Sequence, residues 1–177
     1  EDDYDHVYLG PAGSHQVYPI RSCDHGMPEQ LKKRFPKEHN AIDTFFAKLK
    51  DVKKGSRYMG IVKLLPLWLS NILIGSGLIN WMTDIFREGE ISMQEKLEEL
   101  TEDKELRAVL AYCFGDFGAG PSEASWTMLA ELWRHWRDGA GYPLGGSSQS
   151  AHSIVPVIED AGGRVFVNAN VTRISTS

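Results

Sequence analysis

Cysteine is scarce in this chain of 177 residues: Cys23 and Cys113 are the only two, and they form no Cys-x-x-Cys pair. That excludes a disulfide-stapled scaffold and a thiolate metal site, and leaves buried free thiols as the expectation. The six histidines never fall at metal-ligand spacing with a carboxylate, so no zinc or iron site is expected. An excess of positive charge is missing too, with 19 Lys and Arg against 24 Asp and Glu and a formal net charge of -5. Nucleic acid is therefore not an expected partner, because phosphate binding needs a basic surface. No Gly-x-Ser-x-Gly elbow and no nucleophile in register with a base occurs, so hydrolase chemistry has no support. Internal repeats and low-complexity tracts are absent as well. The chain opens on Glu1 with no signal-peptide pattern and stops soon after a strand-like run, which gives the expectation of an interior piece of a longer protein.

What is present reads as one core with a helical bias: 42% hydrophobic and 24% charged residues suffice to bury a single core. Val7-Tyr8-Leu9 and Gln16-Val17-Tyr18-Pro19-Ile20 flank a Gly-Pro turn and predict a β-hairpin with Pro19 near an edge. Pro28 suits a first helical position, and Leu31, Phe35, Ile42, Phe45, Phe46, Leu49 and Val52 recur at helical spacing. They predict two short helices broken near Pro36, the second ended by Gly55. Ser92 and Glu95 form a capping box, Thr101 is a candidate cap for the next helix, and Pro121 with Glu123 opens one running through Trp126, Leu129, Leu132, Trp133 and Trp136. Glu95, Glu98, Glu99, Glu102, Asp103 and Glu105 read as the solvated face of two helices.

Residues 59–82 turn strongly apolar, and residues 64–82 carry no charge over roughly the length that crosses a bilayer. Three readings stand open: a spanning helix, a buried helix pair, and a helix pair that dips into a membrane surface. Pro66, Ser70, Asn71, Gly75 and Asn80 weaken the first, while Trp68 and Trp81 flank the run as interfacial anchors do.

A glycine-rich loop follows the Trp136 helix. Gly139-Ala140-Gly141-Tyr142-Pro143-Leu144-Gly145 imitates a dinucleotide fingerprint, but a helix end runs into it where that motif requires a strand. A pyrophosphate loop is rejected on that ground. Two uses remain, a plain connection or a surface without Cβ atoms that a flat ring can approach before a helix N-terminus. Ser147 or Ser148 is expected to cap that helix, with Ile154, Val155, Val157 and Ile158 buried, Pro156 kinking it and Gly162 stopping it; residues 165–174 then read as a strand. His135 and His152 flank the loop, with surface histidines as the default reading.

The order and spacing of Tyr142-Pro143-Leu144-Gly145-Gly146-Ser147-Ser148, Ile154-Val155-Pro156-Val157-Ile158-Glu159-Asp160-Ala161-Gly162-Gly163 and Val171-Thr172-Arg173-Ile174 resemble the carotenoid and retinoid oxidoreductase flavoproteins. Leu31-Lys32-Lys33-Arg34-Phe35-Pro36, Lys63-Leu64-Leu65-Pro66-Leu67 and Leu106-Arg107-Ala108-Val109-Leu110-Ala111-Tyr112 point to the retinol-saturating branch. The resemblance implies an FAD-linked enzyme of the endoplasmic reticulum membrane, peripheral or monotopic. It would reduce the 13,14 double bond of all-trans-retinol with NAD(P)H as electron source, its partners being a polyene lipid and the membrane surface. Carotenoid desaturation or isomerisation is the neighbouring activity of the same group, and a non-catalytic membrane-interaction module is the third reading. The resemblance carries over Tyr142, Pro143, Gly145 and Gly146 as flavin-proximal and Val171 as a main-chain contact to the adenine. The fold class expected is α+β: residues 1–22 a hairpin, 23–141 a mostly helical substrate-side and membrane-facing region, and 142–177 a glycine turn, helix and strand of an incomplete FAD-binding α/β domain.

Overall fold

A computed structural model describes residues 3–22 and 26–175. Two compact units divide the chain, Glu1–Gly139 and Ala140–Ser177. Among the described residues helices hold 59% and strands form one two-stranded sheet, so the helical part of the expected class is met and the strand part reduces to the hairpin.

In the first unit β1 (Asp3–Leu9) pairs antiparallel with β2 (Gln16–Arg21), placing Val7 opposite Tyr18 and His6 opposite Pro19. Alternation sends Tyr18 and Ile20 inward, 3% and 0% exposed, because successive strand side chains point to opposite faces. Helix α1 (Met27–Arg34), with Pro28 in its first turn, covers the free edge of β2. Its Gln30 donates to the Pro19 carbonyl at 2.9 Å and its Arg34 to the Val17 carbonyl at 2.8 Å, satisfying acceptors that an edge strand leaves open. Tyr18 also stacks on Phe35 at 5.9 Å between ring centroids, which ties hairpin to helix. Cys23 lies outside the described residues.

Helix α2 (His39–Leu64) is one element of 26 residues, and Gly55 does not end it. The glycine is a contact site: a Cβ built there would lie 2.8 Å from the Cβ of Ile85 at the start of α4 (Ile85–Glu90). Hydrophobic phase explains the continuation, since Ile42, Phe45, Leu49 and Val52 lead on to a buried Val62. Helix α5 (Met93–Leu100) starts at the expected capping box, Ser92 Oγ accepting from Glu95 N at 3.2 Å and Ser92 N donating to Glu95 Oε2 at 2.9 Å. Helix α6 (Lys104–Leu110) is capped by Asp103 and not by Thr101, whose hydroxyl instead donates to Glu38 at 2.7 Å. An aspartate two residues on offers a charged acceptor to two first-turn amides, which a committed hydroxyl does not.

Helix α7 (Trp126–His135) starts later than Pro121, at an N-cap Ser125. The reason is pairing: Ser92 and Ser125 form an antiparallel bridge in which Met93 N reaches Ala124 O at 2.7 Å and Trp126 N reaches Ile91 O at 2.9 Å. Two helix starts are thereby locked side by side. Trp126, Leu129 and Trp133 fill the centre with Phe45, and Trp133 Nε1 donates to the Leu110 carbonyl at 2.8 Å. Lys96 is 2% exposed yet paired, its Nζ lying 3.1 Å from Glu88 and 3.0 Å from Glu99. Desolvation opposes its charge, but the hydrogen bonds it donates to Glu99 and Glu88 prevail and hold its pKa above the ordinary lysine value.

The second unit contains α8 (Ser148–Asp160), with Pro156 inside it and Gly162 after it at φ +82°. Two expectations fail there. Ile154 and Val157 are 58% and 68% exposed, not buried, since fewer than 40 residues cannot enclose a core of their own. Residues 165–174 form no strand: Asn168 takes φ +54° in mid-run, and the unit offers no neighbour to accept a ladder.

Candidate functional site

The glycine turn is compact and open. Gly145 and Gly146 take φ +90° and +92°, a backbone region that side chains rarely adopt, and Gly146 N closes the turn on Pro143 O at 3.0 Å. The turn delivers the chain directly to α8, where Gln149 N and Ser150 N donate back to Gly146 O and Ser147 O at 3.1 and 3.2 Å. Tyr142 and Leu144 stand 75% and 97% exposed on it. Tyr142, Pro143, Gly145 and Gly146 thus share one surface, whereas Val171 lies in the irregular segment after α8 and no hydrogen bond joins it to the turn. A Cβ on Gly146 would meet nothing within 4 Å and one on Gly145 would strike Gln149 at 2.8 Å. The missing side chain at Gly146 leaves backbone open to close approach on this turn. It does not supply a pyrophosphate cradle, because the preceding element, residues 136–138, is a 3-10 turn after α7.

The apolar run forms a projecting tip in the first unit. Helix α2 ends at Leu64, Pro66 turns the chain, α3 (Leu67–Gly75) leads away, and a 3-10 turn at Leu78–Trp81 brings it back towards α4. Ser70 staples this tip by donating to the Val62 carbonyl at 2.8 Å, which also accepts from Leu65 N at 3.3 Å where α2 ends. The buried-pair reading is not met. Leu64 is 88% exposed, Leu67 77%, Trp68 65% and Trp81 90%. The spanning reading is not met either, for no helix among the described residues is long and apolar enough to cross a membrane. Two tryptophans at the rim of the tip were visible in the sequence, but their exposure depends on no other element covering α3.

Two buried groups of the first unit, Cys113 and Tyr112, are held in their neutral forms. Burial, with Asp116 nearby, pushes the Cys113 thiol up to about 12, so it stays protonated and unreactive. Burial and the hydrogen bond to Tyr4, 2.8 Å between hydroxyl oxygens, push the Tyr112 phenol well above its ordinary value. Two clefts open on α2, one of about 410 Å³ lined by Lys48, Tyr58, Thr83, Glu88 and Trp126, the other of about 380 Å³ floored by Phe46, Leu49 and Trp133. Neither contains a nucleophile with a partnering base.

Curated relatives of this chain are named as reductases, one of them as inactive. Over nearly its whole length it is homologous to the all-trans-retinol 13,14-reductases. The protein of that name from Danio rerio is 40% identical over 174 residues, 98% of this chain and 29% of the relative. The one from Homo sapiens is 34% identical over 168 residues, 95% of this chain and 27% of the relative. A Danio rerio protein named an inactive all-trans-retinol 13,14-reductase is 30% identical over 168 residues, 95% of this chain and 28% of the relative. The chain therefore spans less than a third of the length of these curated relatives. No protein-family model and no solved structure matches it.

Proposed function

We propose that the chain is a segment of an FAD-dependent oxidoreductase that saturates the 13,14 double bond of all-trans-retinol, with NAD(P)H as electron source. The supporting observation is alignment over 95% or more of the chain with relatives named for that reaction. FAD bound and reduced by NAD(P)H would supply the hydride for one carbon of the double bond, a proton would go to the other, and the protein would supply orientation and exclusion of water. In this reading Tyr142, Pro143, Gly145 and Gly146 hold the flavin ring, their exposed backbone permitting close approach, and Val171 contacts the adenine through its main chain. Tyr142 carries the hydroxyl of the turn, and its ring packs on the cofactor side. The tip at residues 59–82 takes a polyene lipid from the endoplasmic reticulum membrane, where the enzyme is peripheral or monotopic.

A non-catalytic reading has one observation in its favour: a relative named inactive aligns over the same 95% of the chain, so likeness in this segment does not separate active from inactive proteins. The decisive assay uses the protein expressed with the flanking sequence of its gene and purified for flavin absorbance. It is given NADPH with all-trans-retinol or with a carotene. Bound flavin and formation of dihydroretinol support the reductase; turnover of the carotene alone replaces it with the carotenoid activity; flavin-free protein without turnover leaves the interaction module. Tyr142→Phe is expected to keep flavin content and turnover, and a fall in turnover at normal flavin content would put its hydroxyl in the proton path.

A further inference from the structure

The tip does not stand alone on the surface. Along α2, Lys50, Lys53, Lys54, Arg57, Ile61 and Leu64 recur three and four residues apart, and all six are exposed, so one face of the helix runs from basic to apolar as it approaches α3. Lys54 has an exposed partner in Asp51 at 3.3 Å, while Lys50, Lys53 and Arg57 have no carboxylate within 4 Å among the described residues. Residues 48–82 contain six basic side chains against one acidic, a local charge of +5 in a chain whose total is -5. From this we infer that the α2 and α3 surface docks on an anionic phospholipid bilayer, with the tip in the headgroup and acyl boundary and the basic row against lipid phosphates. The inference rests on the membrane part of the reading above and on none of its redox chemistry.

Three physical points select that occupant. Exposed Leu64, Leu67 and Trp68 in water cost free energy that burial in a lipid interface recovers, and α3 is too short to cross the bilayer, so it lies in the interface. Tryptophans Trp68 and Trp81 suit the headgroup level, where one side of the ring is apolar and the N–H is wet. A second copy of the chain docked by two-fold symmetry over the tip would bring two rows of unneutralised Lys and Arg together, which like-charge repulsion opposes; an anionic membrane neutralises them.

The test is flotation of the 177-residue chain with vesicles of phosphatidylcholine, alone or mixed with phosphatidylserine. Binding is expected to be about tenfold or more tighter to the mixed vesicles at low salt, and to weaken as salt screens the basic row. Lys50→Glu, Lys53→Glu and Arg57→Glu together should erase the preference for phosphatidylserine, while Leu67→Asp with Ile72→Asp should abolish binding to both vesicle types. All five positions are exposed, so an unchanged thermal melt confirms that each variant folds. Equal binding of the wild type to both vesicle types, or no binding with a dimer in light scattering, overturns the inference. Vesicle binding by the chain, with no retinol reduction by the protein expressed with its flanking sequence, leaves it standing and counts against the enzymatic reading alone.

Discussion

Gly55 and Ile85 touch backbone to side chain: a Cβ on the glycine would come within 2.8 Å of the Ile85 Cβ and 3.0 Å of Thr83 Oγ1. Helices α2 and α4 approach here with nothing between them. Gly55→Ala would gain about 1 kcal/mol of helix propensity. It would also force a Cβ against an atom that cannot swing aside, and overpacking costs about 1–3 kcal/mol. A net loss of about 1 kcal/mol is expected in urea denaturation. Ile85→Ala keeps the offending Cβ and should not relieve the loss, whereas Ile85→Gly should relieve part of it. A stabilised Gly55→Ala protein would show that the close approach does not constrain the fold.

The same glycine shows where the sequence was readable and where it was not. Local chemistry was legible: the Gly-Pro turn gave the hairpin, and Ser92 with Glu95 gave the start of α5, because both signals are satisfied within a few residues. Gly55 reads locally as a stop because an isolated glycine in a helical pattern does not announce a helix crossing 30 residues away. The starts of α6 and α7 differ from the local signals for a related reason, since Thr101 is drawn to Glu38 and Ser125 is paired with Ser92. The apolar run was recognisable as unusual, but hydropathy does not report whether a partner covers it. Of the candidate site, the turn at residues 142–146 is one local unit and was readable as such; Val171 was expected beside the cofactor on family likeness, and no local bond carries it there.

Lys96 anchors α5 to α4 by placing a charged group where almost no water reaches. Removing it releases Glu88 and Glu99, which are partly exposed and regain hydration, so no stranded charge remains. Lys96→Met, which retains the packed stem, is expected to fall within about 1 kcal/mol of wild type. Lys96→Ala also leaves a cavity and should cost about 2 kcal/mol. Equal losses for the two variants, measured by urea denaturation, would mean that the ion pair and not the stem carries the stability.

Acid should loosen this region before the rest of the core. Backbone and side-chain hydrogen bonds from Ser92 hold the Glu95 carboxyl below its ordinary value, and the hydrogen bond from Lys96 does the same for Glu99. A carboxyl depressed by folding stabilises fully above the ordinary value of 4.5 and loses that contribution as pH falls through its folded value. Stability is therefore expected to be flat from neutral pH down to about 4.5 on account of these two groups and to decline below it. Glu95→Gln and Glu99→Gln together should make the decline shallower. An unaltered acid profile of the double variant would remove both carboxyls from the linkage.

Trp133 joins three parts of the core through one side chain. Its indole donates to the carbonyl of Leu110, the last residue of α6, and its ring meets Phe45, Phe46 and Tyr112 edge to face at 5.3–5.8 Å. Leu110 O belongs to the set of acceptors that a helix end leaves open, and no solvent reaches Leu110 or Trp133 to replace the indole. Trp133→Phe keeps most of the edge contacts but strands that carbonyl, which costs about 1–3 kcal/mol, and adds a small cavity. Trp133→Leu loses the aromatic contacts as well, each worth about 0.5–1.5 kcal/mol. Urea denaturation followed by circular dichroism should therefore rank wild type above Phe and Phe above Leu, with the first step the hydrogen bond and the second the rings. A Phe variant within about 0.5 kcal/mol of wild type would mean that the Leu110 carbonyl finds another donor once the indole is gone.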